Sequence, residues 1–463
     1  MIVNFANRAH NHNWTLDPCV RSLLDTDFYK LLMLQFIWKH FPDVPVTFSL
    51  LNRTAAVKVG EAIDETELRR QLDRIRTLRF TKSEMIWLAG NTFYGRRGIF
   101  EPGFLEWLSD FHLPSYELKR EGAQWSLRVA HDWMNATMWE IPALSTINEL
   151  RTRAGLETMN EFELDIFYAR AKAKLWEKIE RLRGIPGLKL TDFGTRRRHS
   201  FLWQEYVVQA LAAELPGVFL GTSNALLAMK HDQEAMGTNA HELPMVLAVL
   251  ALLGRLAVDL RTSQYELLRL WQETYGGSLL ILLPDTYGTT QFLAHAPAWV
   301  DEWTGLRVDS KSPALAGEEY IAWLEARGRD PQTKLLLFSD GLDVDAILAL
   351  HARFGGRIQP GHTAEEFTSA ADFRDPAKWI HVPRIRVAFG WGTLLTNDFR
   401  DCHPRGQTIF QPISLVCKVA EACGRPTVKL SDNYNKAIGP SDEIAHYRAV
   451  FGSAGVAHLP VVV

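Results

Sequence analysis

Short apolar runs recur through the middle of the chain, each followed by a polar or glycine-bearing turn and then a helical stretch. The runs are Leu188–Phe193, Val218–Gly221, Leu279–Leu283, Leu306–Asp309, Leu335–Phe338 and Ile385–Phe389. Their length and bounding turns read as strands. Strands that alternate with helices form a parallel sheet, here expected to close into an irregular α/β barrel. Polar residues that act on a ligand should then follow the strands, at the C-terminal mouth.

The flanking segments have a different texture. Residues 21–41 read as an apolar helix opened by the capping-type Asp25-Thr26-Asp27. Val44–Arg53 and Trp125–His131 read as strands, 61–79 as an exposed amphipathic helix, and 82–113 as short helices broken by turns. Two long helices are expected within 138–182, and the tail Ile413–Leu430 reads strand, turn, strand. The predicted organisation is an α+β N-terminal domain, 1–140, completed by about 410–463, and a barrel domain, 141–409, interrupted by a Pro/Gly-bearing insertion at about 358–384. Leu243–Gly254 reads as a buried helix. The polar turn Gly237-Thr238-Asn239-Ala240-His241-Glu242 stands at its head, and polar groups in such a place need partners or a task.

Composition narrows the function. The chain has 463 residues, 47% hydrophobic and 23% charged, enough for two domains. A net charge of −3 argues against a general nucleic-acid binder. The four cysteines have no C-x-x-C spacing, so a zinc site or disulfide framework is not expected. No signal-peptide pattern opens the chain, and the longest apolar run is too short to span a bilayer, so a cytoplasmic protein without membrane or nucleic-acid partners is expected. His10 and His12 read as part of a solvated end.

Six strand-end turns carry the chemistry: T-D-F-G-T-R-R-R (191–198), G-T-S-N (221–224), P-D-T-Y-G-T (284–289), R-V-D-S-K-S (307–312), S-D-G-L-D (339–343) and F-G-W-G-T (389–393). Asp and Gly are ordinary turn residues, but six such turns in phase suit an anionic, phosphate-bearing ligand. Gly390, Gly392 and Thr393 offer backbone N–H groups and a hydroxyl to a phosphate. Asp285, Asp309 and Asp340 suit Mg²⁺ or ribose hydroxyls. Arg196 and Arg307 suit a carboxylate or phosphate, and Phe193 and Tyr29 offer flat faces to an aromatic ring. Arg197 and Arg198 read as partly solvent-facing, Asp343 and Asp345 as first-turn helix acids.

Taken together, these motifs resemble the nicotinate phosphoribosyltransferase family. The matching pieces are L-L-D-T-D-F-Y-K (23–30), D-F-G-T-R-R-R (192–198), G-T-S-N (221–224), M-G-T-N-A-H-E (236–242), L-R-V-D-S (306–310), F-S-D-G-L-D (338–343), F-G-W-G-T-L-L-T-N-D (389–398) and V-K-L-S-D (428–432), in family order. The resemblance implies transfer of phosphoribose from 5-phosphoribosyl 1-pyrophosphate to nicotinate, giving nicotinate mononucleotide and pyrophosphate in NAD biosynthesis. It also implies coupled ATP hydrolysis, ligase-type, through a phosphohistidine at His241, with Mg²⁺ required. Asp285 and Asp309 are the candidate metal ligands. Glu242 is expected to orient the imidazole, and Tyr29 and Phe193 to sandwich the pyridine. Thr238, Arg307 and Arg196 address its carboxylate, and Asp340 and Gly341 belong to the substrate site. The implied assembly is a homodimer in which Tyr29 reaches into the partner's site. The alternatives are a nicotinamide phosphoribosyltransferase, which carries Asp where this chain has Ser223, and a non-catalytic relative. Quinolinate phosphoribosyltransferase lacks the G-T-x-x-H-E motif. The family's D-S-G-D is here Asp309-Ser310-Lys311-Ser312, adding a cation beside the expected phosphate region.

Overall fold

The structure, a computed structural model, describes residues 17–355, 357–360 and 379–455. The expectation for His10 and His12, and that for most of the 358–384 insertion, lie outside the described residues. Arg357–Pro360 and Trp379–Val382 pair as an antiparallel hairpin at the base of that insertion.

Two sheets organise the rest. The first is antiparallel: β1 (Pro45–Asn52), β2 (Glu117–Glu121), β3 (Gln124–Asp132) and two strands from the far end of the chain, labelled β11 (Leu415–Ala422) and β12 (Arg425–Pro426). Their order is β12–β11–β1–β3–β2, so the C-terminal segment lies beside the first strand of the chain. The second sheet is parallel. It comprises β4 (Leu190–Asp192), β5 (Phe219–Thr222), β6 (Glu234–Ala235), β7 (Ile281–Leu282), β8 (Gly305–Val308), β9 (Leu335–Ser339) and β10 (Arg386–Trp391). Its order is β6–β5–β4–β10–β9–β8–β7, and it curls as an incomplete α/β barrel. All six expected strands are present within a residue or two at most ends. β6 is the addition, two residues long and without a hydrophobic run to betray it.

Helix α1 (Phe28–His40) sits between the sheets. Residues 28–37 are all buried, so no face of it is amphipathic; it is a core helix. Helices α2 (Glu140–Leu156) and α3 (Glu161–Leu182) follow the first sheet, α4 (Phe201–Glu214) packs beside the second, and α5 (Glu242–Leu252) is the buried helix behind the polar turn. The expected 61–79 helix is split into Val59–Ala62 and Glu65–Thr77. Asp343 caps the helix Val344–Leu350 as its position suggested.

The D-T-D stretch does not cap α1. Asp27 stands at the cap position, but its side chain makes no cap bond; Ser223 Oγ donates to its Oδ1 at 2.6 Å. Asp25 is taken by Arg198, whose two terminal nitrogens donate to its two oxygens at 2.7 and 2.8 Å, both side chains being fully buried. Arg198 is therefore not solvent-facing. It also donates to Cys19 O, tying the segment before α1 to the barrel. A buried carboxylate left without its partner typically costs about 3–5 kcal/mol. Arg198→Ala should lower the free energy of unfolding by that order in urea titration; a loss below about 1 kcal/mol would show that the pair does not fasten the two parts.

Candidate active site

The strand ends converge on a cavity of about 150 Å³. Tyr29, Phe193, Arg196, His241, Arg307 and Asp309 line it together with Asp340, Gly341, Gly390, Gly392 and Thr393. Phe193 is fixed by its neighbours: Asp192 Oδ1 accepts from Gly194 N–H at 2.7 Å and its Oδ2 from Thr222 and Gln204, while Phe193 N–H donates to Trp391 O. Burial pushes the Asp192 carboxyl up to about 6. The turn after β9 carries two consecutive left-handed residues, Asp340 (φ 83°) and Gly341 (φ 61°); an Asp there is strained and is held by a contact with the Lys436 ammonium.

Tyr29 lines the cavity of its own chain, where the resemblance placed it in a partner's. Two close contacts dock the start of α1 against this barrel. Phe28 N–H donates to Ser223 O at 2.6 Å, and a Cβ on Gly237 would come within 2.6 Å of Tyr29 N, so only glycine admits the tyrosine backbone there.

His241 is 4% exposed. Its Nδ1 meets Thr286 Oγ1 at 2.9 Å and its Nε2 meets Asp309 Oδ2 at 3.0 Å, with Asp285 Oδ1 at 3.7 Å. Asp285 Oδ2 accepts from Ser310 Oγ at 2.5 Å, while Oδ1 is buried without a hydrogen-bond donor among the described residues. Burial and the nearby Lys429 ammonium lower the imidazole to about 4, so the ring is neutral near pH 7. Burial alone would raise Asp309; Lys429 and the bond to His241 outweigh it, and this carboxyl is held well below its usual range.

Three expected site residues stand elsewhere. Glu242 does not orient the imidazole. Its carboxylate is turned away into the core, where Lys30 Nζ donates at 2.5 Å and Trp133 Nε1 and Thr137 Oγ1 each donate at 2.6 Å; the carboxylate on the ring is Asp309. Ser223 is fully buried and acts on Asp27, which in turn lies 3.7 Å from Arg196 Nε, so it reaches the cavity only through that arginine. Thr238 lines a second, more apolar cavity of about 360 Å³ that Phe193 and Arg307 also border. Lys311 does not line the main cavity; it is paired with Glu319 at 2.5 Å and with Thr290 Oγ1 at 2.9 Å, so its charge is met locally.

The lining residues additional to those expected include Arg53, Arg197, Ser414, Lys418, Lys429 and Lys436. Four of them come from the C-terminal segment. Ser414, Val416 and Lys418 all face the cavity, and that alternation along an otherwise apolar strand was the available signal. Arg197 is half-buried and faces the cavity; burial lowers it to about 10, and its guanidinium reaches Leu415 O and Thr393 Oγ1. With Arg196 and Arg307, seven Arg and Lys face the cavity against Asp309 and Asp340. That surplus of cations suits a ligand with several phosphates.

The His241 environment sets a sign for pH. Its folded pKa lies below the unfolded value of about 6.5, so this group leaves stability unaffected above that pH and reduces it as pH falls toward 4, because the unfolded chain takes the proton first. In an NMR titration of ¹⁵N-histidine-labelled protein the His241 ring should remain neutral at about pH 5.5; a midpoint above about 6 would contradict the assigned surroundings.

Comparisons with known proteins bear on the family and the fold. The model of the nicotinate phosphoribosyltransferase (NAPRTase) family matches residues 188–364 and 372–454, and that of the NAPRTase N-terminal domain matches 24–148. A nicotinate phosphoribosyltransferase structure from Vibrio cholerae is 31% identical, with a TM-score of 0.76, over 95% of this chain and 96% of that one. A putative nicotinate phosphoribosyltransferase from Saccharomyces cerevisiae is 25% identical, with a TM-score of 0.75, over 94% of this chain and 99% of that one. A nicotinate phosphoribosyltransferase from Porphyromonas gingivalis, 24% identical with a TM-score of 0.74 over 94% of this chain and 100% of that one, shares the fold. Among the described residues no helix is long and apolar enough to cross a membrane. The chain belongs to the nicotinate phosphoribosyltransferase family.

Proposed function

We propose that this enzyme joins nicotinate to 5-phosphoribosyl 1-pyrophosphate, forming nicotinate mononucleotide and pyrophosphate, and couples the step to ATP hydrolysis through a phosphohistidine at His241. The observation that carries the reading is the pairing of a strongly cationic cavity with one neutral, carboxylate-flanked histidine at its wall. Displacing pyrophosphate from the anomeric carbon builds positive charge on the ribose, and the pyridine nitrogen supplies the electron pair. The protein's contribution is then to position and to stabilise charge rather than to form bonds to the sugar.

Tyr29 and Phe193 would hold the pyridine ring. Arg307 is suited to its carboxylate: Nη1 donates to Asn239 O, and Nε is buried without an acceptor among the described residues. Arg196 adds a second cation, with Thr238 at the border of the neighbouring cavity. Gly390, Gly392, Thr393 and Arg197 would receive the 5-phosphate, and Asp340 and Gly341 the ribose; all six line the cavity. The oxygens of Asp285 and Asp309 and a ring nitrogen of His241 lie within 4.8 Å of one another. The free Asp285 Oδ1 makes this set fit a divalent cation such as Mg²⁺, held by the two carboxylates. When bound, that ion would neutralise phosphate charge.

The test is purified enzyme given phosphoribosyl pyrophosphate with nicotinate or nicotinamide, with and without ATP and Mg²⁺. Nicotinate mononucleotide should form, faster with ATP, and labelled ATP should leave an acid-labile phosphate that His241→Ala abolishes. Preference for nicotinamide, or a label that persists in the variant, would overturn the substrate or the histidine assignment respectively.

A further inference from the structure

Lys429 lies in V-K-L-S-D, on the segment that returns from the first sheet, and its side chain is 7% exposed. Its ammonium stands 3.5 Å from Asp309 Oδ2 and 3.6 Å from Asp285 Oδ2, the carboxylates that flank His241, and it lines the cavity. The backbone around it is referenced to the same residue as the imidazole. Leu430 and Ser431 N–H both donate to Thr286 O, while the Thr286 hydroxyl meets His241 Nδ1. Lys429 itself exchanges both backbone bonds with Ile438.

The other cavity cations near the carboxylates are more tightly committed. Lys436 is in close contact with Asp340 and Lys418 donates to Glu140 at 3.0 Å, while the open Nε of Arg307 is assigned above to the pyridine carboxylate. Lys429 makes only long contacts and retains donor capacity. A phosphoryl group on the cavity-facing Nε2 brings about two negative charges to a position beside Asp309, in a buried setting where like charges repel strongly. A cation must offset them at that point.

We propose that Lys429 is a catalytic residue of the phosphoryl step, the cation that receives the γ-phosphoryl group as it moves from ATP to His241. The proposal rests on the phosphohistidine reading above. In the resting ring Nε2–H donates to the Asp309 carboxylate and Nδ1 accepts from the Thr286 hydroxyl. As the Nε2 proton passes to Asp309, the freed Nε2 lone pair forms the N–P bond while the bond from the γ-phosphorus to the bridging oxygen breaks, its electrons leaving with ADP. Lys429 turns one N–H from the aspartates to the equatorial phosphoryl oxygens as their charge grows.

Single-turnover labelling by γ-labelled ATP tests this on the full chain, with wild type, Lys429→Gln and Lys429→Arg, each checked for a cooperative melt. Wild type should label. Lys429→Gln should label about a hundredfold more slowly at saturating ATP, with the half-saturating ATP concentration moving less than about threefold, since the cation acts on the chemical step more than on ATP capture. Lys429→Arg, which keeps the aspartates paired, should recover labelling to within about tenfold of wild type. Labelling of Lys429→Gln at the wild-type rate overturns the proposal. If the Gln variant does not fold, an Arg variant that folds yet labels more than a hundredfold slowly overturns it. Failure of wild type itself to label removes the phosphohistidine reading instead, and the proposal with it.

Discussion

The ammonium of Lys30 is fully buried and is held between Glu140 at 2.7 Å and Glu242 at 2.5 Å. A charge in such a place is tolerated only when paired and hydrogen-bonded, and here the requirement joins three helices. Lys30 belongs to α1, Glu140 opens α2 and Glu242 opens α5. Glu140 also accepts from Lys418 on β11 and lies 3.7 Å from Arg196. Burial would raise Glu140, but Lys30, Lys418 and Arg196 outweigh it and keep it ionised. One network thus ties the start of the chain, its middle and its returning C-terminal strand.

The cavity inherits its geometry from that network. Tyr29 and Lys30 are neighbours in sequence, as are His241 and Glu242. In each pair one residue lines the cavity and the next is clamped in the charged core. Anchoring Lys30 on Glu242 therefore sets the aromatic ring and the imidazole relative to each other without either touching the other's side chain directly. The C-terminal segment completes the arrangement: pairing β11 with β1 brings Lys418, Lys429 and Lys436 over the mouth of a barrel whose own strand ends supply the arginines and aspartates.

The barrel rhythm was legible because each strand is a short apolar run followed by polar turn chemistry, and most strand-end candidates do converge. What periodicity could not give was the destination of long-range side chains. Asp27 looked like a helix cap and bonds Ser223; Glu242 looked like the partner of His241 and holds Lys30; Arg198 looked partly exposed and is fully buried. Each is a local pattern overruled by a buried group elsewhere that needed a partner. The lysines of the last segment were not singled out, although V-K-L-S-D carries Lys429: nothing local shows that Lys418, Lys429 and Lys436 reach the mouth of a barrel formed by other parts of the chain.

The central proposal is that the pyridine lies between Tyr29 and Phe193 and the phosphates lie against the cations brought by the C-terminal segment. A crystal structure of the complex with nicotinate and phosphoribosyl pyrophosphate tests this most directly. The ring should lie between Tyr29 and Phe193, its carboxylate on Arg307, with phosphate oxygens within hydrogen-bond reach of Arg197 and of at least one of Lys418, Lys429 and Lys436. A ring held away from Tyr29 and Phe193, or phosphates bound away from these side chains, would contradict it.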